Sequence, residues 1–233
     1  MKVTLLVPTL DEIDGMRAIM PRIQRGWVDQ IIILDGGSTD GTIEYAREQG
    51  YEVVIQKERG LINAYRQVYP HIRGDALITF SPDGNSVAEL IPDLVKKLQE
   101  GYDMVIASRY LDGAKSEDDT FMTGLGNWIF TKLINVLFGG NYTDAMVIYR
   151  IHRTKLIEEL GLLHDEPLSI ERNFSHMISW EPLLSMRAAQ RKLRIGEIPG
   201  DEPPRVGGKG KCNQYTWGLV YLAEMVQESL RGR

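Results

Sequence analysis

Short apolar runs alternate with longer amphipathic stretches from the first residues of the chain. Five runs are predicted to be strands, at about 3–7, 31–34, 53–55, 76–80 and 104–107. They are apolar at successive positions, which is typical of strands covered on both faces in a parallel sheet. The stretches between them predict helices at about 12–24, 41–49, 61–70 and 88–99. This alternation predicts an α/β doubly wound, mostly parallel sheet with helices on both faces.

Beyond about residue 110 the alternation is less regular. The acidic segment DGAKSEDD predicts a loop, which is followed by an apolar helix near 127–138, a strand near 145–149 and a helix near 154–160. A strand near 193–198, the Pro/Gly-rich loop GDEPPRVGGKGK and a helix over about 214–230 complete the pattern. We expect a single domain over 1–233.

Composition narrows the class of protein further. The chain has 233 residues, 43% of them hydrophobic and 25% charged, and a formal net charge of −5. This charge argues against a surface built to bind nucleic acid. A single cysteine, Cys212, forms no internal disulfide and indicates a reducing compartment. Because the sequence has neither a signal-peptide pattern nor a run approaching about 18 apolar residues, we expect a cytoplasmic protein without a spanning helix.

Polar clusters follow four of the predicted strands: PTLDE at 8–12, DGGSTDGT at 35–42, SPDGN at 81–85 and SRY at 108–110. Each cluster taken alone is explained by a turn or a helix cap. Asp35 is harder to explain in that way, because a carboxylate at the end of an apolar strand needs a hydrogen-bond donor, such as a ribose hydroxyl or a base N–H. In open α/β sheets, ligands bind at the carboxyl ends of the strands, so the four clusters together predict a binding site.

The order and spacing of these segments resemble the family 2 glycosyltransferases with the GT-A fold. VPTLDE and ILDGGSTDGT are similar to the family's two nucleotide-binding segments, with Gly36 at the position of a second acid. GDALITFSPDGN is similar to the stretch that ends in the Asp-X-Asp metal motif, with Ser81 at the first acidic position and Asp83 at the second. The segments SRY, GN at 126–127, TDAMVIYRIHR and EIPGDEPPRVGGKGK resemble polyprenyl-phosphate sugar synthases such as dolichol-phosphate mannose synthase, with Gly210 at a serine position.

The resemblance implies an inverting transfer of a sugar from a nucleotide-diphosphate sugar with Mg²⁺ or Mn²⁺. Asp83 is the implied metal ligand and the Asn85 side-chain oxygen a second one. One carboxylate suffices where the substrate's phosphates and water complete the coordination. The residues implied to frame the donor are Pro8, Leu10, Glu12, Asp35 and Arg59. We expect residues 1–110 to form the nucleotide-sugar-binding half, and residues 111–233 to form the acceptor half with the C-terminal helix.

The acceptor that the resemblance implies is a polyprenyl phosphate. Its phosphate is already anionic near neutral pH, because the second pKa is about 6, so it needs cations rather than a general base. The candidates to bind it, or the donor's diphosphate, are Arg109, Arg150, Arg205, Lys209 and Lys211, of which Arg150 is also a catalytic candidate beside Asp83. If the acceptor is instead a soluble alcohol, Asp144 is the candidate base. A third alternative is a non-catalytic nucleotide-sugar-binding protein, because acids are absent at Gly36 and Ser81.

Residues 127–138, NWIFTKLINVLF, are apolar on almost all sides of the predicted helix. This stretch is too short to span a bilayer, but it fits a position at a membrane surface. The alternative is a helix buried against the sheet or in a homo-oligomer. The sequence leaves both interpretations open.

Overall fold

The structure is a computed structural model that describes residues 1–163, 180–206 and 214–231. The described residues contain a seven-stranded sheet in the spatial order β3-β2-β1-β4-β6-β5-β7. The strands are β1 (Val3–Thr9), β2 (Gln30–Asp35), β3 (Glu52–Ile55), β4 (Ala76–Thr79), β5 (Met104–Ser108), β6 (Arg150–Arg153) and β7 (Ile195–Pro199). β6 is antiparallel to both of its neighbours, and every other pairing in the sheet is parallel. The predicted mostly parallel sheet is therefore confirmed.

The helices are α1 (Ile13–Ile19), α2 (Thr42–Glu48), α3 (Leu61–Val68), α4 (Ile91–Gln99), α5 (Phe121–Phe138), α6 (Leu156–Glu159), α7 (Glu181–Gln190) and α8 (Gln214–Arg231). Short 3₁₀ segments at Met20–Arg22, Tyr69–His71 and Ala88–Leu90 extend or precede three of them. All residues of β4 and β5 are buried. Because successive side chains point to opposite faces of a sheet, these strands are covered on both sides.

The structure corrects three sequence predictions. The predicted strand at 145–149 is wrong, because pairing with β4 and β5 starts only at Arg150, which lies opposite Thr79 and Ile106. α5 starts at Phe121 rather than near residue 127, because the Thr120 side chain accepts a hydrogen bond from the Thr123 backbone N–H and caps the helix. α7 was not predicted from the sequence. Nine of its residues are buried, so its sequence lacks the separate apolar and polar faces by which an amphipathic helix is recognised.

His152 lies at the centre of the sheet, where β6 pairs with β4 and β5. It is opposite Leu77 on one side and Met104 on the other, and its side chain is buried. Its Nδ1 lies 2.9 Å from the carbonyl oxygen of Arg153. Burial lowers the pKa of His152 to about 4, because the apolar surroundings disfavour the imidazolium. The ring is therefore neutral in the folded protein at physiological pH.

We expect the free energy of unfolding to decrease as the pH falls from about 6.5 to about 4, by about 3 kcal/mol in total. In this window the unfolded chain binds a proton that the buried ring of His152 does not bind, so protonation favours unfolding. Urea unfolding at several pH values measures this slope. His152→Leu should flatten it, whereas His71→Gln, which changes a half-exposed histidine, should leave it unchanged. An unaltered slope in His152→Leu would show that other groups cause the pH dependence.

Candidate active site

The loops that follow β1 and β2 are hydrogen-bonded to each other at the carboxyl edge of the sheet. The backbone N–H of Asp11 donates to Ser38 Oγ at 2.8 Å, and the N–H of Thr39 donates to Asp11 Oδ1 at 2.8 Å. Asp40 Oδ2 accepts from the N–H of Ile13 at 3.0 Å, which satisfies one of the free donors in the first turn of α1. Asp11 has a φ of 50°, a strained value for a residue with a side chain, and these contacts hold it there. The two predicted nucleotide-binding segments therefore form one rigid unit.

Asp35 organises the second of these loops. Its carboxylate is fully buried, and Oδ1 accepts from the N–H groups of Gly37 and Ser38 at 2.8 and 2.7 Å. Oδ2 accepts from the hydroxyls of Thr9 and Ser38 at 2.8 and 2.7 Å. With both oxygens occupied in this way, the predicted contact of Asp35 with a ribose or a base does not fit this geometry.

The other predicted donor residues lie along the same edge. Pro8 is in β1 opposite Leu34 of β2, Leu10 is exposed, and Glu12 is the residue before α1. Arg59 is exposed in the turn between β3 and α3. These positions leave Leu10 and Arg59 accessible to a ligand that rests on this edge.

Gly36 lies between the side chains of Leu10 and Gln56. A Cβ added there would be 3.4 Å from Leu10 Cδ1 and 3.6 Å from Gln56 Oε1. A residue larger than glycine would therefore project into the space between these two side chains. Because Gly36 has no side chain, this part of the edge stays open.

Asp83 lies in the loop after β4 and has an exposed fraction of only 5%. Its Oδ1 accepts from the N–H of Asn85 at 3.1 Å, and its Oδ2 is 2.7 Å from Nη1 of Arg205. The side-chain amide of Asn85 donates to Asp118 Oδ2 at 3.0 Å. Arg205 Nε lies 3.2 Å from the same oxygen of Asp118. Segments that follow β4, β5 and β7 thus meet at Asp83.

Residues 200–206, which we call the strap, cross over the Asp83 loop. The N–H of Val206 donates to the carbonyl oxygen of Asp83 at 2.7 Å. Gly84 has a φ of +98°, and a Cβ at this position would lie 2.8 Å from Val206 Cγ2. Glycine is therefore needed here both for the backbone conformation and for the close approach of the strap.

The Asp83 loop offers oxygen ligands that fit a hard divalent cation. Asp83 supplies a carboxylate, and Asn85 Oδ1 is buried and has no hydrogen-bond partner within the described part of the chain. Among residues 1–163, 180–206 and 214–231, no three His, Cys, Asp or Glu side chains cluster as a metal site. A cation held here would thus take further oxygens from substrate phosphates or water, as Mg²⁺ commonly does.

Asp144 forms a buried ion pair with Arg109. Nε of Arg109 is 2.6 Å from Asp144 Oδ2, and Nη2 donates to Oδ1 at 3.0 Å. Burial by itself would lower the pKa of Arg109, but the charge and hydrogen bonds of Asp144 together with the charge of Glu202 raise it above its usual value. A carboxylate that is engaged on both oxygens by a guanidinium is poorly suited to accept a proton from an alcohol. The interpretation of Asp144 as a general base therefore does not fit its surroundings.

Arg150 lies in the core rather than at the edge of the sheet. It is fully buried, and its Nη1 donates to Ser185 Oγ at 2.8 Å and to the carbonyl oxygen of Glu181 at 3.1 Å. Its Nε donates to the carbonyl oxygen of Val147 at 3.0 Å, and Nη2 to that of Ala145 at 3.2 Å. Burial lowers the pKa of this guanidinium. The predicted catalytic or phosphate-binding role of Arg150 is therefore corrected to a structural one, which joins β6 to α7.

Sequence reasoning missed Asp118, Glu197 and Glu202. Glu202 lies 3.3 Å from Nη1 of Arg109, and Glu197 accepts from the N–H groups of Thr143 and Asp144 at 2.9 and 3.1 Å. Burial raises the pKa of both glutamates. Asp118 belongs to the acidic segment DGAKSEDD, where no spacing relates it to Arg205. Lys209 and Lys211 lie outside the described residues.

Comparison with known proteins shows both sequence and structural relatives. The sequence pattern described as Glycosyl transferase family 2 matches residues 5–161. The glycosyltransferase AglJ of Haloferax volcanii is 26% identical over 88% of this chain and 64% of its own length. The dolichol-phosphate mannosyltransferase of Pyrococcus furiosus is 30% identical over 52% of this chain and 37% of its own length. An undecaprenyl-phosphate 4-deoxy-4-formamido-L-arabinose transferase of Edwardsiella ictaluri is 24% identical over 97% and 66%. The chain thus spans less than two thirds of the length of each of these relatives.

Solved structures share the fold. Glucosyl-3-phosphoglycerate synthase of Mycobacterium tuberculosis, in complex with Mn²⁺, uridine diphosphate and phosphoglyceric acid, matches with a TM-score of 0.70 and 19% identity, over 98% of this chain and 78% of that one. The same enzyme with Mg²⁺ and uridine diphosphate matches with a TM-score of 0.71 and 20% identity, over 98% and 79%. These similarities confirm the predicted fold class.

We expect Asp144→Ala to lower the free energy of unfolding by about 3 kcal/mol, because it leaves the buried guanidinium of Arg109 without its partner. Replacing both residues, as Arg109→Leu with Asp144→Leu, should recover part of this loss, since neither member of the pair is then buried alone, although Glu202 loses Arg109 and keeps, among the described residues, only its hydrogen bond from the Ser116 hydroxyl. Urea unfolding measures both. Glu89→Gln, which breaks an exposed ion pair with Arg22, serves as the control and should change stability by less than about 1 kcal/mol. Unchanged stability with lost activity in Asp144→Ala would instead support the general-base interpretation.

Proposed function

We propose, since the chain belongs to glycosyl transferase family 2, that it transfers a sugar from a nucleotide-diphosphate sugar to a polyprenyl phosphate. The observation that carries this proposal is the meeting of Asp83, Asn85 and Arg205 at the carboxyl edge of the sheet. Oxygen ligands for a divalent cation and a guanidinium suited to phosphate lie side by side there. A reaction between two anionic substrates needs positive charge on both, which a divalent cation and a guanidinium supply together.

For the donor, residues 1–110 supply the nucleotide-binding edge in this proposal. The rigid unit formed by the loops after β1 and β2 would frame the nucleoside, with Asp35 shaping the loop rather than contacting the ligand. Asp83 and Asn85 would hold Mg²⁺ or Mn²⁺, which supplies neutralisation of the charge that develops on the leaving diphosphate. The fold relatives with Mn²⁺ or Mg²⁺ and uridine diphosphate support this assignment.

For the acceptor, residues from 111 onward supply the cationic side of the site. Arg205 is 34% exposed in its side chain and can reach a phosphate, whereas Arg109 is nearly buried and positions the strap through Glu202. Lys209 and Lys211 follow the strap in sequence, and we assign them to the same acceptor phosphate. A phosphate nucleophile needs no general base, which agrees with the engagement of Asp144 by Arg109. A single displacement then inverts the configuration at the anomeric carbon.

The choice of a lipid acceptor is supported by the relatives and by the surface of α5. Two of the relatives are named for dolichol phosphate and undecaprenyl phosphate. α5 buries Thr131, Ile134 and Phe138 against the protein, but it exposes Phe121 at 83% and Val136 at 80%. α5 therefore has a buried face, and its exposed apolar face supports the proposal of a position at a membrane surface. Within the described residues, none of the helices combines the length and the apolar composition needed to cross a bilayer.

The exposed face of α5 adjoins the site. Its Asn127 amide donates to the hydroxyl of Tyr110 at 3.1 Å, and Tyr110 follows Arg109 in the loop after β5. α8 packs beside α5, with the rings of Phe130 and Tyr221 6.2 Å apart. We propose that this face rests on the cytoplasmic surface of the membrane and receives the polyprenyl chain. Pairing with a second copy of the chain is the alternative use of the same apolar surface.

We expect Asp83→Asn to reduce sugar transfer by at least about a hundredfold while leaving the fold intact, because the substitution removes the charge that holds the cation. Transfer of radiolabelled sugar from a nucleotide sugar to membrane lipid measures the effect. Asp93→Asn makes the same change at an exposed residue of α4. It is the matched control and should retain activity.

Retained transfer in Asp83→Asn would contradict the metal assignment. Nucleotide binding without transfer or hydrolysis in the unchanged protein would instead favour the non-catalytic binding protein.

We expect the labelled product to be a lipid that mild acid cleaves, and Phe121→Ser with Trp128→Ser to weaken sedimentation with anionic lipid vesicles several-fold. Both side chains are exposed on α5, so their replacement removes apolar surface without opening the core. The matched control is Ile55→Ser, which removes an exposed apolar side chain on β3 rather than on α5. Label found only in water-soluble products would favour a hydroxyl acceptor. A stable dimer on size-exclusion chromatography that the double variant dissociates would assign this face to a second copy.

A further inference from the structure

The guanidinium of Arg205 holds the Asp83 oxygen through which a cation would bind. We propose that Arg205 is a built-in counter-ion of Asp83, that the divalent cation of the donor displaces it, and that its release delivers the guanidinium to the acceptor phosphate. This inference rests on the proposed function and adds to it a role for Arg205 at both the cation and the acceptor phosphate.

The contacts of Asp83 leave one oxygen for this exchange. Oδ1 is taken by the N–H of Asn85 at 3.1 Å, and Oδ2 by Nη1 of Arg205 at 2.7 Å. The side chain of Asp83 is nearly buried, so its charge needs a positive partner. Arg205 thus neutralises Asp83 as long as no other cation is bound.

Asp118 keeps the guanidinium in this position. Its Oδ2 lies 3.2 Å from Nε of Arg205 and also accepts from the Asn85 amide at 3.0 Å. The segment before Asp118 is tied to the strap, because the N–H of Glu117 donates to the Glu202 carbonyl at 2.8 Å and the N–H of Glu202 donates to the Lys115 carbonyl at 2.9 Å. Asp83 and Asp118 therefore both face the guanidinium of Arg205, although the loop after β4 contains only one acidic residue, Asp83.

The backbone of the strap restricts where a displaced Arg205 can go. The hydrogen bond from the Val206 N–H to the Asp83 carbonyl oxygen, at 2.7 Å, fixes the main chain beside the site. The Arg205 side chain is 34% exposed, so it can change rotamer without disturbing the core. A divalent cation on Asp83 repels the adjacent guanidinium, and an acceptor phosphate offers it a bidentate partner. Arg205 thereby becomes available to the acceptor only after the donor's cation has bound.

Mn²⁺ binding in the absence of nucleotide tests the proposal, and electron paramagnetic resonance reports the free Mn²⁺ during a titration. Arg205→Gln should tighten Mn²⁺ binding about tenfold, because the competing charge is gone. Arg205→Lys, which keeps the charge but lacks the planar fork that contacts Asp83 and Asp118 through separate nitrogens, should fall between this variant and the unchanged protein. Arg22→Gln, which removes an exposed arginine paired with Glu89, is the matched control and should bind Mn²⁺ as the unchanged protein does.

Equal or weaker Mn²⁺ binding by Arg205→Gln would overturn the counter-ion role, as would the absence of Mn²⁺ binding from every variant. Circular dichroism melting of each variant confirms that the fold is retained. Because no donor, acceptor or transfer step enters the titration, its outcome is separate from that of the sugar-transfer assay. Loss of the proposed transfer function together with tighter Mn²⁺ binding in Arg205→Gln would leave the counter-ion role standing.

Discussion

The buried ion pair between Arg109 and Asp144 is the contact on which the rest of the site depends. It joins the loop after β5 to the segment before β6, with 2.6 Å between Arg109 Nε and Asp144 Oδ2. Because it is almost entirely removed from water, neither charge can lose its partner without a large penalty. Nη1 of Arg109 extends this connection to Glu202, which fixes the strap. The strap in turn carries Arg205, whose Nη1 lies 2.7 Å from Asp83 Oδ2, so the buried pair is connected to the candidate cation site through Glu202.

A second constraint is the need to satisfy the buried carboxylates of Asp35, Asp83 and Asp144. Asp35 meets it with four hydrogen bonds from its own loop and from Thr9, and Asp144 meets it with a guanidinium. Asp83 meets it with Arg205, whose side chain is still partly in solvent. Of these three acids, only Asp83 has a partner that can leave without disturbing the core. This difference, rather than the number of acids in the loop, distinguishes the proposed site of chemistry from the structural acids around it.

The chemistry of the proposed acceptor is consistent with this arrangement. A phosphate nucleophile needs positive charge and alignment, and no proton has to be removed from it at neutral pH. An alcohol would require a free base, whereas both oxygens of Asp144 are held by Arg109. The apolar face of α5 begins beside the same loop, where Asn127 contacts Tyr110. The phosphate of a lipid acceptor would therefore lie against the charged site, and its lipid chain would lie along the apolar face of α5.

The amino-acid sequence alone predicts the sheet, its mostly parallel direction and the four polar clusters at its carboxyl edge. Apolar runs at successive positions and glycine-rich turns are local signals, and local signals are sufficient for these features. It did not determine β6, because the antiparallel pairing of Arg150 with Thr79 and Ile106 depends on strands distant in the chain. The same limit applied to individual charges. Asp35, Asp83, Asp144, Arg109, Arg150 and Arg205 were all predicted as site residues, but the structure gives them different surroundings. The partner of Arg109 is Asp144, 35 positions away, and the partner of Asp83 is Arg205, 122 positions away. Only the tertiary structure brings such residues together, because the free energy of a charge depends on its neighbours in space and not on its neighbours in sequence.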